Sequence, residues 1–242
     1  MFKNYFKKIY KARLKKINEK SKIRIENERN KYISILNHDI KTALLAQIQA
    51  LELYLNNKAP KEILYEILNS SEFLYEIVKN TIFLSNYERQ KKNLKLENID
   101  IEDIISEVKK SVESLAKYKN QNIILKTNSK NITLKADKLF INKIIHNIIT
   151  SSISYGFENS DIEISVKESK DKISFKTKNK SIYMTKEKIK NILEDKKTND
   201  LNQLGMSLNL NIANKLISAH KWNIIADSKQ DNSSVFGFVA KK

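Results

Sequence analysis

Ile33, Leu36, Ile40, Leu44, Ile48, Leu51 and Leu55 recur at every third or fourth position, the repeat that lines one face of an α-helix with apolar side chains. The spacing predicts one long helix over residues 23–57. Asn56-Asn57-Lys58-Ala59-Pro60 then breaks the pattern. Pro60 is the only proline of the 242-residue chain, and it suits the start of a helix, where its missing N–H costs nothing. A second stripe of Ile63, Ile67, Leu74, Ile77 and Val78 predicts another helix over 61–90. Two helices joined by so short a turn form an antiparallel hairpin. One hairpin cannot bury both stripes, whereas hairpins from two chains can, as a four-helix bundle. A homodimer is therefore expected.

From about residue 97 the pattern changes. Helical spacing is predicted over 101–118, 138–155, 185–195 and 204–220. Short strands are predicted over 122–127, 131–135, 222–228 and 234–240. Ile162, Ile164 and Val166, then Ile173 and Phe175, alternate with polar residues, the period of half-buried strands. The fold class expected is α+β: a helical hairpin followed by a mixed domain of helices and strands. The boundaries are 1–25 for a basic N-terminal helix, 26–92 for the hairpin and 97–242 for the second domain.

Composition removes several functions. With no cysteine, disulfides, thiolate metal sites and cysteine nucleophiles are excluded. The three histidines, His38, His146 and His220, lie far apart and show no HExxH spacing, which argues against a histidine metal site. No apolar run approaches the length of a membrane span, and the start lacks the apolar stretch of a secretory signal, so a cytoplasmic location is expected. The formal charge is +17. Nine lysines and arginines against one glutamate fall within residues 1–22, with Phe2, Phe6, Ile9 and Ile17 near helical spacing. That segment reads either as a basic amphipathic helix, able to lie on an anionic membrane surface, peripheral at the inner face, or to lead into a coiled coil, or as a solvated basic tail. No recognition motif supports nucleic-acid binding. The chain has three glycines, where average usage would give roughly 17. Glycine lets a backbone wrap closely around phosphate.

The chemistry centres on Asn37-His38-Asp39-Ile40-Lys41-Thr42-Ala43-Leu44. At about 100° per residue, His38 lies about 140° from the centre of the apolar stripe, Thr42 about 180° and Asp39 about 240°. The histidine thus projects outward from a core-forming helix, with a carboxylate beside it and a hydroxyl one turn on. A neutral, exposed imidazole whose second nitrogen gives its proton to a carboxylate is a nucleophile suited to phosphoryl transfer. A solvent-facing histidine beside an aspartate is also common on helices, so the pair alone does not decide the function.

The segment resembles the H-box of bacterial two-component sensor histidine kinases, His-[Glu/Asp]-[Leu/Ile]-[Arg/Lys]-[Thr/Asn]-Pro-Leu, departing from it only at Ala43. The stretch Phe83-Leu84-Ser85-Asn86-Tyr87-Glu88 is similar to the end of that family's second hairpin helix. Ala136-Asp137-Lys138-Leu139 resembles the lead into its N-box helix. Within that helix Asn147 matches the first asparagine, and Ser151 stands where the family holds magnesium with the second. The G1 box, Asp-x-Gly-x-Gly in the family, reads Asn179-Lys180-Ser181-Ile182-Tyr183. The G2 box, Gly-x-Gly-x-Gly before a helix, reads Gly205-Met206-Ser207-Leu208-Asn209, and Ser218-Ala219-His220 follows.

The resemblance implies a hairpin that dimerises and accepts phosphate, followed by an α/β sandwich of the histidine-kinase ATPase type. It implies His38 as the phosphoaccepting histidine, Asp39 as its acid/base partner and Thr42 as the residue that assists dephosphorylation. Its cofactors are ATP and Mg²⁺, with Asn147, Ser151, Asn179 and Gly205 as remnants of the nucleotide site and Ser151 at the metal position. Four loop glycines, the magnesium asparagine and the adenine carboxylate are replaced, so ATP binding is expected to be weakened or absent. The expected partner is a response-regulator receiver domain, which exchanges phosphate with His38. Two alternatives stand beside this reading: an active, divergent ATP-dependent kinase using Lys180, Lys186, Lys188 and Lys190 against phosphate, and a non-enzymatic dimeric interaction module.

Overall fold

The structure, a computed structural model, describes residues 40–91, 93–194 and 201–242, together with Glu19. The chain divides into two compact units, Met1–Glu88 and Arg89–Lys242.

In the first unit, α1 spans Lys41–Leu55 and α2 spans Ile63–Gln90. The expected asparagine turn ends α1. Asn57 takes a left-handed backbone (φ 56°), and its N–H and that of Lys58 bond back to Tyr54 and Leu53. Asparagine tolerates that conformation better than most residues. Pro60 stands just ahead of α2, its carbonyl accepting from Ile63. The Gln47 Nε2 group donates to Ser70 Oγ across the two helices at 2.8 Å. The α1 stripe stays open within one chain: Leu44, Ile48, Leu51 and Leu55 are 38–76% exposed. The part of the predicted first helix that carries His38 and Asp39 lies outside the described residues, as does the predicted basic helix 1–25 apart from Glu19.

The second unit runs β1 (Leu96–Asp100), α3 (Ile101–Ser111), α4 (Glu113–Tyr118), β2 (Asn122–Thr127), β3 (Thr133–Asp137), α5 (Lys138–Tyr155), β4 (Asp161–Glu168), β5 (Lys172–Lys180), α6 (Lys186–Leu193), α7 (Leu201–Ala219), β6 (Asn223–Ser228) and β7 (Ser233–Lys241). Its main sheet has the order β2-β4-β5-β7-β6. The β2–β4 pair is parallel and the remaining pairs are antiparallel. Helices α5 and α7 pack together and onto the inward face of this sheet.

Three elements differ from expectation. Strand β1 pairs with β3, yet its sequence gave no signal because Ile99 is its one buried side chain. The single helix predicted over 101–118 is two helices, interrupted at Val112 (φ −109°, ψ 7°). Asp100 caps α3 by accepting from Glu102 N–H at 2.8 Å, as an N-terminal aspartate should. The third difference, where α7 begins, bears on the site.

The inward rows of the central strands form the core. Ile162, Ile164 and Val166 on β4, Ile173 and Phe175 on β5, and Phe236, Phe238 and Ala240 on β7 are fully or almost fully buried. Phe175 stacks on Phe238 at 5.5 Å, and Phe238 on Trp222 at 5.2 Å. Gly237 interrupts β7 where that backbone runs against β5. A Cβ there would collide with the carbonyl oxygen of Phe175 and come within 2.9 Å of Lys176 Cα. Close backbone approach of this kind is what a glycine inside a strand permits.

Helix α5 ends on a cation instead of a turn. Lys119 Nζ donates to the carbonyls of Ile153, Ser154 and Gly156 at 2.8–3.0 Å, occupying the orphan acceptors of a helix C-terminus. Its partial burial holds its pKa below the usual lysine value, with Glu158 opposing the shift. Replacing Lys119 by methionine is expected to cost about 1–3 kcal/mol, because half-buried carbonyls lose their donor. Urea unfolding followed by circular dichroism measures the loss.

Candidate functional site

Along β5 the inward row changes from apolar to polar: Ile173, Phe175, Thr177, Asn179, all buried. The polar end meets the C-terminal half of α5. Ser152 Oγ shares a 2.6 Å hydrogen bond with Thr177 Oγ1, and Asn179 Nδ2 donates to the Ser152 carbonyl at 3.0 Å. Gly156 makes this junction possible. A Cβ on it would lie within 3 Å of Gln121 Nε2, Ser152 O and Asn179 Nδ2. Gln121 donates from the other side to the carbonyls of Ile153 and Phe157. Neither Gln121 nor the Ser152–Thr177 pair was singled out from sequence, since isolated polar residues carry no periodicity. Gly156 was a readable signal, being one of only three glycines.

The expected nucleotide residues fall on this junction and beside it. Asn179 is 4% exposed, and its Oδ1 has no hydrogen-bond partner. Asn147 is fully buried with both amide atoms unpartnered, and Thr150 Oγ1 is unpartnered one turn further on. Tyr155 packs against Phe236, and burial pushes its hydroxyl well above the ordinary tyrosine range. Unsatisfied buried polar atoms are uncommon in folded proteins, and each asks for an explanation. The buried Asn179 Oδ1, left unpartnered while the amide nitrogen bonds Ser152 O, is an acceptor of the kind that an exocyclic amino group of a base would satisfy.

The phosphate and magnesium end does not fit. Ser151 is fully buried, and its Oγ donates to the Asn147 carbonyl at 2.7 Å. Such a hydroxyl is turned back onto its own helix, and its burial gives it no solvent-accessible surface. Gly205, expected in a loop before a helix, lies inside α7, which begins at Leu201. In an α-helix each N–H past the first turn bonds to the carbonyl four residues back, so the N–H groups of residues 205–209 are turned into the helix. A phosphate cradle needs them turned outward. At the G1 position, Ile182 is 65% exposed and Tyr183 39%. The loop is tied down by serines: Ser181 Oγ pairs with Ser234 Oγ, and Ser228 Oγ bonds both Ser234 Oγ and Met184 N–H at 3.1 Å. At the positions where the resembled G1 box carries glycines, this chain has a loop held by serine hydrogen bonds. Among the described residues no group of three or more His, Asp or Glu is placed to hold a metal ion.

The remaining expected residues divide between the two units. Thr42 is exposed in the first turn of α1. His38 and Asp39 lie outside the described residues. His220 is part-buried and stacked on Trp222 at 4.3 Å, with its ring nitrogens on Leu216 O and Asp137 N, a packed position apart from the Asn147–Asn179 junction.

Comparison with known proteins agrees with this architecture. Residues 136–242 match the histidine kinase-, DNA gyrase B-, and HSP90-like ATPase family. The sensor protein KdpD of Clostridium acetobutylicum is 25% identical over 95% of this chain and 27% of its own length. DltS of Streptococcus agalactiae is 24% identical over 83% of this chain and 51% of its own. The chain therefore spans about a quarter to a half of these curated relatives. Among solved structures, the histidine kinase AdeS of Acinetobacter baumannii superposes with a TM-score of 0.61 at 19% identity, covering 84% of this chain and 97% of that one. Histidine kinase ThkA, solved in complex with the response regulator TrrA, superposes with a TM-score of 0.66 at 20% identity over 91% of this chain and 66% of that one.

Proposed function

We propose, from the premise that this chain belongs to the bacterial two-component sensor histidine kinase family, that it passes phosphoryl groups through His38 without using ATP. The observation that carries the second half of this reading is the phosphate end of the nucleotide site: Ser151 buried against its own helix and Gly205 inside α7. The first half rests on the H-box residues His38, Asp39 and Thr42. ThkA was solved with its response regulator, and a receiver domain is the partner we assign here.

In this scheme the neutral imidazole of His38 attacks the phosphorus of an aspartyl phosphate on the receiver. The P–N bond forms as the acyl phosphate P–O bond breaks, returning the aspartate as carboxylate. Asp39 accepts the proton from the other imidazole nitrogen, which raises nucleophilicity without a strong base. Thr42, one turn further on, orients a water for hydrolytic return of phosphate. The open α1 stripe of Leu44, Ile48, Leu51 and Leu55 supports a second copy of the chain closing a four-helix bundle, and the helical spacing of the sequence predicts His38 off that stripe. The basic residues 1–22 add attraction to an anionic membrane surface.

ATP-dependent autophosphorylation is the second reading, and one observation favours it. The unpartnered Asn179 Oδ1 and the two unpartnered amide atoms of Asn147 leave buried polar groups that a bound nucleotide would satisfy. The two readings separate in a thermal-shift titration. A ligand at 100 times its Kd stabilises a fold by about 2.7 kcal/mol. Millimolar Mg·ATP is expected to leave the melting temperature unchanged, and a shift of several degrees would favour the kinase.

A further inference from the structure

Asp137 is the meeting point of three segments. Its Oδ1 caps α5 by accepting from Phe140 N–H at 3.2 Å. Its Oδ2 accepts from Lys95 N–H at 2.9 Å. Its own N–H donates to His220 Nε2 at 3.2 Å. Lys95 stands just past the end of α2 at Gln90, where the chain enters β1. One carboxylate therefore fixes both the first turn of α5 and the point at which the connecting segment joins the second unit.

His220 can fill this role only as the neutral ring. Nδ1 lies 2.9 Å from the Leu216 carbonyl and so carries the hydrogen, which leaves Nε2 to accept from Asp137. Trp222 stacks on one face and Phe140 meets the ring edge-on. These aromatic walls give the ring little freedom to turn away. Of the charged groups around it, Asp137 comes from the β3–α5 junction, while Lys95, Lys138 and Lys221 on adjoining segments are exposed.

We propose that the Asp137–His220 pair is a proton-operated clamp on the connecting segment: protonation of His220 draws the Asp137 carboxylate onto the imidazolium and releases Lys95. The added proton occupies the one acceptor that the Asp137 N–H uses. A cation then faces a carboxylate whose second oxygen holds nothing but the Lys95 amide. Pairing with the imidazolium is the stronger, charge-assisted bond. Releasing Lys95 lengthens the free tether between α2 and the ATPase-like unit.

The sign of the pH dependence follows from the ring's surroundings. Burial is the largest influence and holds His220 below its usual 6.5, against the Leu216 hydrogen bond and the Asp137 charge. The clamp is thus complete above pH 6.5 and is lost as pH falls through the lower value of the folded protein.

Amide hydrogen exchange on the full chain, read residue by residue by NMR between pH 7.5 and 5 and corrected for intrinsic rates, tests this directly. Lys95 protection is expected to fall about tenfold, with a midpoint matching the His220 ring resonances, while Ile144 and Ile148 in α5 keep theirs. In His220→Gln, whose side-chain oxygen accepts but does not titrate, Lys95 protection should be flat. In Asp137→Asn it should be low at every pH, because one amide oxygen cannot serve both Phe140 and Lys95. Constant Lys95 protection while His220 titrates would overturn the proposal. So would the same pH midpoint in His220→Gln, or loss of Ile144 and Ile148 protection together with Lys95, which marks global unfolding instead of a local release.

Discussion

Gly237→Ala is expected to remove more than half of the stability of the ATPase-like unit. The substitution adds a single methyl group, yet that carbon has no space. It would collide with the Phe175 carbonyl and press on Lys176 Cα, both backbone atoms of the neighbouring strand. A flexible side chain could swing aside, whereas a paired strand cannot. Relief requires β5 and β7 to separate, which breaks the longest ladder in the sheet, from Lys172↔Lys241 to Lys180↔Ser233. It also disturbs the Phe175–Phe238 stack. Overpacking of an ordinary core site costs about 1–3 kcal/mol. A clash with fixed backbone belongs at or above the top of that range, a large part of the roughly 5–15 kcal/mol that holds a domain together. Urea titration monitored at Trp222 should show the midpoint fall by more than half. A midpoint within error of the wild type would mean that β7 does not lie against β5 as described.

The second large effect is chemical. His38→Ala is expected to remove phosphoryl exchange with a phosphorylated receiver to background, while leaving the melting temperature within a degree of wild type. The sequence spacing predicts His38 on the solvent side of its helix, where alanine would remove a nucleophile and little packing. Alanine is also the residue that best suits a helix interior. The pairing of those two outcomes is what matters. Loss of activity with loss of stability would implicate the scaffold instead of the imidazole. Retained exchange would assign the chemistry to another group.

Much of the second unit was legible because its strands alternate cleanly. The helix predicted over 138–155 is α5 to the residue, and the strands predicted near 161–168 and 172–178 are β4 and β5. Strand β1 was not legible. It buries one side chain and owes its extended form to pairing with β3, a long-range partner that local pattern cannot reveal. The candidate nucleotide residues were legible by position and not by surroundings. Scarcity of glycine marks few places where backbone N–H groups turn outward easily, and it carries no information on the local structure adopted instead. That α7 extends back to Leu201, and that Ser151 folds onto the Asn147 carbonyl, follow from helical backbone and from a short hydroxyl that bonds its own helix more readily than it reaches out. The clustering of Gln121, Ser152, Gly156 and Asn179 brings together three separate segments, and no spacing rule in the sequence predicts it.

The most direct measurement compares two phosphoryl donors on the same protein. Purified chain is incubated with radiolabelled Mg·ATP alone, and separately with its cognate receiver carrying labelled aspartyl phosphate, each for wild type and His38→Ala. Label should move from the phosphorylated receiver, as acid-labile phosphohistidine on wild type or as phosphate released faster than from the receiver alone; His38→Ala should show neither, and ATP should label neither protein. Strong labelling of His38 by ATP, or a receiver whose phosphate is untouched by wild type, would contradict the account.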